Sequence, residues 1–402
     1  MANNYVFHDS LPVAPLKLAA LESCRPLASQ VNDYIVSFRR NDIQELIRRK
    51  EDLNYRGYDV DSYLLQMKCP RFGSGEAKAV IEESVRGTDI FAMVDVTNYS
   101  LTYTVNGCTN HMSPDDHFQD LKRVIGAVAT TAHRVNVIMP FLYEGRQHKR
   151  TKRESLDCAM ALEELVRMGV SNIITFDAHD PRVQNAIPLS GFDNFMPTYQ
   201  FVKALFEHDP GLRIDKEHLM IISPDEGAMH RAVYLANNLS VDMGMFYKRR
   251  DYSRVVGGRN PIVAHEFLGS SVKDKTVLII DDMISSGESM LDTARELKER
   301  RAGKVIVCCT FGLFTNGLEK FDEFYEKGYI DYVITTNLNY RPKELLERDW
   351  YLEADMSKYL AAIINSFNHD VSISSTLSPT KKIQDLVRRR QSDGYEYFQT
   401  IQ

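Results

Sequence analysis

Seven short apolar runs recur along the chain. They are 88–95 (TDIFAMVD), 134–142 (RVNVIMPFL), 172–177 (NIITFD), 218–222 (HLMII), 276–282 (TVLIIDD), 304–310 (KVIVCCT) and 331–335 (DYVIT). Each is rich in Val and Ile and is bounded by polar or turn residues. Continuous runs of this kind predict strands buried on both faces of a parallel sheet. The intervening stretches have a helical period. In 155–169, Cys158, Leu162, Leu165 and Met168 share a face and Gly169 stops the pattern; in 289–303, Met290, Ala294 and Leu297 do the same, with Gly303 as the expected stop. A further helical period over 29–50 puts Ile43, Leu46 and Ile47 on one side.

Strand–helix–strand alternation predicts an α/β fold with right-handed crossovers. It occurs on both sides of a break near 195–210, so two similar α/β domains are expected, each with a mainly parallel sheet flanked by helices. The boundaries that follow are 1–61 for an N-terminal extension, 62–200 and 201–350 for the two domains, and 351–402 for a C-terminal helix and tail. The tail from about 378 is polar and reads as an appendage.

Composition narrows the class. A chain of 402 residues exceeds one ordinary core, and 44% hydrophobic with 26% charged residues is a soluble globular profile. A net charge of −6 argues against nucleic-acid or membrane attraction as the main function. No apolar run reaches the ~18 residues of a membrane span, and MANNYVFHDS lacks the basic flank and apolar stretch of a signal peptide. The six cysteines form no C-x-x-C pair, as in a reducing compartment. A cytoplasmic protein is expected.

Ligands of open parallel sheets sit at the carboxyl ends of strands. Run 276–282 ends there in Asp281 and Asp282, followed by Ser285-Ser286-Gly287-Glu288-Ser289 and a helix. Unpaired N–H groups at a helix N-terminus favour a phosphate, and carboxylates accept hydrogen bonds from sugar hydroxyls or hold a cation. An ordinary N-cap is the competing reading, but two acids, three serines and a glycine favour a phosphate-and-ribose site. Segment 146–153 (RQHKRTKR) has five Lys/Arg in eight residues; it reads as a solvated basic loop or as a polyphosphate grip. Tyr247-Lys248-Arg249-Arg250-Asp251 is a second basic cluster. Together these suit a substrate with many phosphates and charge stabilisation during phosphoryl transfer. His179, near Asp177, reads as a structural histidine or a magnesium ligand; Asp225, in SPDEG, reads as a turn residue or as facing the same phosphates. No G-x-x-x-x-G-K-[ST], G-x-G-x-x-G or H-E-x-x-H motif is present.

Six segments occur in one order: RFGSGEAKAVIEESVRGTDIF (71–91), VIMPFLYEGRQHKR (137–150), ITFDAH (174–179), ISPDEG (222–227), YKRR (247–250) and LIIDDMISSGES (278–289). In order and spacing they resemble ribose-phosphate pyrophosphokinases over about 62–377. The resemblance implies two phosphoribosyltransferase-like domains. It implies transfer of the β,γ-diphosphoryl group of Mg-ATP to the 1-hydroxyl of ribose 5-phosphate. It also implies a dimer-based homo-oligomer, up to a hexamer, and phosphate or nucleotide effectors. Carried over by position, Phe72, Ser74, Glu76, Arg146, Gln147 and His148 line the ATP site. His179 and Asp225 position Mg2+. Lys248 and Arg250 stabilise the transferring group. Asp281 and Asp282 take the ribose hydroxyls, and Ser285 to Ser289 wrap the 5-phosphate.

Several positions depart from the family pattern. Ser74 and His148 each stand where an Asp is usual, the loop near 150–155 is one residue shorter, and Glu288-Ser289 replace a small residue and Thr. A carboxylate beside a phosphate repels it unless it turns away or meets a cation. Two alternatives therefore stay open: a diphosphokinase for a different or larger ribose-phosphate acceptor, and a catalytically silent regulatory relative. The retained Lys248, Arg250, His179, Asp281 and Asp282 weigh against the second.

Overall fold

The computed structural model describes residues 10–51, 55–250, 262–373 and 379–399, and side chains for all of these except 248–250, 262–265 and 390–399. The chain forms two compact units. The first contains the chain up to Met196 with Asn337–Tyr340 and Asp355–Ser378; the second contains Pro197–Thr336, Arg341–Ala354 and the C-terminal segment.

Elements are numbered along the whole chain. The first unit holds β1 (Leu16–Ala20), β2 (Met67–Lys68), β3 (Val80–Ile81), β4 (Asp89–Met93), β5 (Thr102–Val105), β6 (Cys108–His111), β7 (Arg134–Ile138), β8 (Asn172–Phe176) and β9 (Gly191–Phe195). Its helices are α1 (Arg25–Arg49), α2 (Pro114–Val128), α3 (Asp157–Arg167) and, late in the chain, α9 (Ser357–Asn368). The main sheet is parallel throughout in the order β1-β4-β7-β8-β9. β2–β3 and β5–β6 are separate antiparallel pairs. One face of the sheet packs Ala92, Val94, Val137 and Ile173 against α2 and α3 residues such as Leu121, Val124, Leu162 and Leu165.

The second unit holds α4 (Thr198–His208), β10 (Leu219–Ser223), α5 (Met229–Leu239), β11 (Asp242–Arg250), β12 (Ile262–Leu268), β13 (Thr276–Ile284), α6 (Glu288–Glu299), β14 (Val305–Gly312), α7 (Glu319–Glu326), β15 (Tyr332–Thr336), α8 (Lys343–Leu346), β16 (Tyr351–Ala354) and α10 (Pro379–Gln399). The sheet order is β12-β11-β10-β13-β14-β15-β16, and only β12 runs antiparallel to its neighbour. The seven apolar runs are β4, β7, β8, β10, β13, β14 and β15. Burial explains why they were visible: β4, β10 and β14 have no residue open to solvent on either face.

Four sequence expectations are corrected. Residues 16–49, read as part of an extension, belong to the first unit: β1 pairs with β4 along its whole length. Its following helix, α1, is fastened by the buried Arg39, which donates to Asn365 (3.2 Å) and Asn368 (2.6 Å) of α9. The Arg39 guanidinium also lies 4.6 Å from the ring centres of both Tyr58 and Tyr63. The face α1 buries is Val31, Ile35, Phe38, Arg39 and Asp42, while Ile47 is exposed. The tail is not wholly an appendage, because α10 buries Ile383 against a core that includes Phe201, Leu235 and Leu239. Finally, Gly303 is not the stop of α6. That helix ends at Glu299, and Arg301 takes the left-handed conformation (φ 66°). Gly303 instead permits a close backbone approach, since a Cβ there would lie 3.2 Å from the Asp274 carbonyl oxygen. Gly169 does follow α3 in a left-handed conformation, at φ 89°.

Candidate active site

In the second unit the chain leaves β10 for β11 on one side and returns through β13 on the other. The sheet therefore has a topological switch point between β10 and β13, where open α/β sheets form a crevice at their carboxyl ends. β13 pairs with β10 only as far as Ile279 but with β14 as far as Ile284. Asp281 and Asp282 thus project from the part of β13 that has lost its β10 neighbour. Asp225 lies just beyond the end of β10, close enough for its charge to act on Asp281.

Successive strand residues point to opposite faces, so the two acids have different surroundings. Asp282 is buried, 3.8 Å from the buried Arg231 of α5. Asp281 accepts a hydrogen bond from the Asp282 N–H (2.9 Å). Loss of water raises the Asp281 carboxyl well above the usual carboxylate range, and the negative charges of Asp282 and Asp225 push it further. Three acids near one another, with Arg231 beside Asp282, make this a site that gains from hydroxyl donors or a cation.

The loop after β13 bears on the N-cap and phosphate readings. The N-cap of α6 is Gly287, at φ 83°, which has no side chain to cap it. By contrast, Ser113 and Asp116 form a reciprocal capping box on α2. A glycine N-cap brings no side chain of its own to the α6 N-terminus, the kind of place where backbone N–H groups meet an anion. Gly287 is required twice over, by its left-handed backbone and because a Cβ would run into the Phe321 ring. Gly287→Ala is therefore expected to destabilise the second unit by about 1–3 kcal/mol, measured by chemical denaturation. An unchanged midpoint would show that the loop relaxes freely.

Glu288 is the first residue of α6 and is exposed. Its carboxylate meets a cation, Lys320 Nζ, at 3.2 Å, and an acid in the first turn also favours the helix dipole. Glu288→Gln is expected to tighten ribose 5-phosphate binding about 2–5-fold, with the gain shrinking as salt rises. Calorimetric titration at two ionic strengths checks this; weaker binding would make Glu288 a substrate contact.

Asp225 carries part of the turn reading. Its Oδ1 accepts from the N–H groups of Gly227 (2.9 Å) and Ala228 (3.3 Å), leading into α5. Lys248 and Arg250 end β11, which continues past its last pairing with β10 at Met245 and is held there by β12 alone. Their side chains lie outside the described residues.

In the first unit, Phe72, Ser74 and Glu76 form a tight turn. Phe72 N–H donates to the Glu76 carbonyl (2.7 Å), and Ser74 Oγ donates to the Glu76 carboxylate (2.8 Å). Phe72 is half-exposed, with Lys78 Nζ 5.8 Å from its ring centre. Arg146, Gln147 and His148 follow β7; Arg146 is exposed, as are the basic residues of 149–153. Among the described residues no hydrogen bond or ion pair joins the 72–76 turn to Arg146–His148. A cavity of about 420 Å³, lined by residues including Arg71, Tyr103, Met112, His117 and Asp120, contains none of the expected ATP residues.

β8 is followed by the buried Asp177, which holds a left-handed backbone (φ 41°), and then by the exposed His179. The His179 ring lies 5.5 Å from that of His148. His148 Nε2 is 3.5 Å from Asp180, whose carboxyl is held below the usual range chiefly by hydrogen bonds from Arg182. Neither Arg231 beside Asp282 nor Asp180 beside His148 was singled out in the sequence. Their only advance signals were an arginine in an otherwise apolar helix face and an acid next to His179. Among the described residues no three His, Cys, Asp or Glu side chains are grouped to hold a metal.

Two parallel-sheet units, the second with a carboxylate pair and an uncapped loop at its switch point, define a protein of the phosphoribosyltransferase class. A family model for the N-terminal domain of ribose phosphate pyrophosphokinase matches residues 16–169, and one for the phosphoribosyl transferase domain matches 202–342. The chain belongs to the ribose-phosphate pyrophosphokinase family. It is 28% identical over 275 residues to the ribose-phosphate pyrophosphokinase of Mycoplasma genitalium, covering 68% of this chain and 75% of that one. It is 25% identical over 325 residues to ribose-phosphate pyrophosphokinase A of Dictyostelium discoideum, covering 80% and 93%. The phosphoribosylpyrophosphate synthetase of Mycobacterium smegmatis shares the fold, with a TM-score of 0.67 at 20% identity over 88% of this chain and 99% of that one. The family match begins at residue 16, which agrees with the place of β1 in the first sheet.

Proposed function

We propose that this protein is a ribose-phosphate diphosphokinase that makes phosphoribosyl pyrophosphate and AMP from ATP and ribose 5-phosphate. The observation that supports this reading most is the acceptor-like end of β13: Asp281 and Asp282 beside an uncapped, glycine-started helix at the switch point. Asp281 and Asp282 accept hydrogen bonds from the ribose 2- and 3-hydroxyls. Ser285, Ser286, Gly287 and Ser289 hold the 5-phosphate through loop N–H and hydroxyl groups. Phe72, Ser74, Glu76, Arg146 and Gln147 hold the nucleotide.

The ribose 1-oxygen attacks the β-phosphorus in line. The bond from that phosphorus to the oxygen bridging the α-phosphorus breaks, AMP leaves with the electron pair, and the 1-hydroxyl proton is released. Little covalent chemistry is required of the protein; positioning and positive charge do most. Lys248 and Arg250 supply that charge from the end of β11. Magnesium, when bound, would neutralise polyphosphate charge; His179, after β8, and Asp225, after β10, are each candidates to hold it. The pairing of Glu288 with Lys320 gives this acid a local role without a larger acceptor. Dimer-based homo-oligomers, phosphate or nucleotide effectors and a cytoplasmic location belong to the same reading. Among the described residues no helix is long and apolar enough to cross a membrane.

The test is AMP formation with Mg2+, ATP and inorganic phosphate, with and without ribose 5-phosphate. AMP is expected only when the sugar is present. Sugar-independent AMP, or none from folded protein, would overturn the reading.

A further inference from the structure

The cavity of the first unit takes no residue from the proposed reaction site. About 420 Å³ in size, it is walled by the end of β1, by β2 and the 69–71 segment after it, by β5 and by the first half of α2. That is the volume of a small-molecule site. Much of the wall is apolar, with Leu21, Met67, Pro70, Leu101 and Met112. Its charged residues are answered within the protein. Arg71 donates to Asp120 (3.0 Å), Arg25 pairs with Glu22 (3.0 Å) and Lys68 pairs with Glu82. An occupant without net charge suits such a wall, because an ion would lose its water and gain no unpaired counter-charge.

Two buried polar residues interrupt the apolar lining. Ser23 is 4% exposed and His117 1%; both line the cavity, and Asn98 is bonded to both. Asn98 Nδ2 donates to the Ser23 carbonyl (3.0 Å), and the Asn98 carbonyl accepts from His117 Nε2 (2.7 Å). A carbonyl only accepts, so the His117 proton sits on Nε2 and Nδ1 keeps its lone pair. Ser23 Oγ accepts from the Asp95 N–H (3.2 Å), which leaves its own proton to give. Among the described residues nothing donates to His117 Nδ1 and nothing accepts from the Ser23 hydroxyl. Buried polar groups cost free energy unless they are met. One acceptor and one donor, fixed through the same asparagine, call for a partner that carries the complementary pair. An amide edge on a rigid ring, N–H beside C=O, is such a partner.

We infer that this cavity binds an uncharged flat ring with an amide edge, the chemistry of a nucleobase such as uracil, whose N–H donates to His117 Nδ1 and whose carbonyl accepts from the Ser23 hydroxyl. The apolar wall covers the faces of the ring, and the two methionines adapt to its outline. The site is separate from the one proposed for ATP and takes no part in diphosphoryl transfer.

The test is calorimetric titration of the full chain, in saturating Mg-ATP, with uracil and with 1,3-dimethyluracil, which keeps the ring and lacks the N–H. The variants are Ser23→Ala, His117→Phe and Met112→Trp, each checked by circular dichroism melts. Met112 is only half-buried, so the tryptophan that fills the cavity serves if a variant of a buried polar residue does not fold. Uracil is expected to bind with ATP present, and the dimethylated ring about 10-fold more weakly. Ser23→Ala and His117→Phe should each weaken uracil about 5–10-fold, and Met112→Trp should abolish its binding. Cys69, on the cavity wall, gives a second readout: uracil should slow its alkylation and leave that of the exposed Cys108 unchanged. No binding of uracil to the wild type, equal binding of the dimethylated ring, or undiminished binding to Met112→Trp would overturn the inference. Binding seen only without ATP would place the ring in the nucleotide site and overturn it as well.

Discussion

Asp281→Asn is expected to cripple the use of ribose 5-phosphate and, at the same time, to make the protein melt at a higher temperature at neutral pH. On the proposed reading, the functional loss follows from exchanging a carboxyl group for an amide opposite the ribose hydroxyls. Hydrogen bonds to charged groups are the costly ones to lose, and roughly 10²-fold in kcat/KM is expected. The gain in stability follows from the same carboxylate. Burial and the charges of Asp282 and Asp225 raise its folded-state pKa. The folded state therefore holds this proton more tightly than the unfolded chain, and stability is lost as pH rises through the raised pKa. Asparagine carries no such penalty. The variant should melt higher than the wild type above that pKa, by about 2–4 °C for each kcal/mol relieved, and the difference should shrink as pH falls into the ordinary carboxylate range. Scanning calorimetry across pH checks this; a variant that melts lower at every pH would show that Asp281 is held by contacts worth more than its charge costs.

Lys248→Ala has the largest expected effect on turnover. β11 extends beyond β10 and, at its end, carries Tyr247-Lys248-Arg249-Arg250 on a two-stranded arm. A cation there that meets charge developing on the transferring diphosphoryl group acts mainly in the transition state. Its removal should lower kcat about 10²–10³-fold and change the ATP affinity far less. Equal losses in affinity and turnover would make Lys248 a ground-state phosphate contact. Unchanged turnover would remove it from the chemistry.

The interior of both sheets was legible in the sequence because strands covered on both faces must be apolar throughout. Val305–Gly312 and Leu219–Ser223 could hardly read otherwise. Edge strands lacked that constraint. β9 (GFDNF) is half-buried along its whole length, and β1 (LKLAA) is short and interrupted by Lys17. The period of α1 was obscured because its buried face includes Arg39 and Asp42, polar residues that only distant partners satisfy. The candidate site divides in the same way. Asp281, Asp282 and the Ser-Gly loop are contiguous, so local chemistry exposed them. Arg231 meets Asp282, and His148 meets Asp180, only through the fold. Glu288 could be recognised as out of place beside a phosphate, yet Lys320, which answers it, lies on another helix.

The central claim is transfer of a diphosphoryl group to the sugar. It is tested most directly by following phosphorus label from ATP in the presence of ribose 5-phosphate. With γ-labelled ATP the label should appear in phosphoribosyl pyrophosphate, and with α-labelled ATP it should appear in AMP, in equal amounts. Accumulation of ADP from α-labelled ATP, with a singly phosphorylated sugar product from the γ-labelled substrate, would contradict the account.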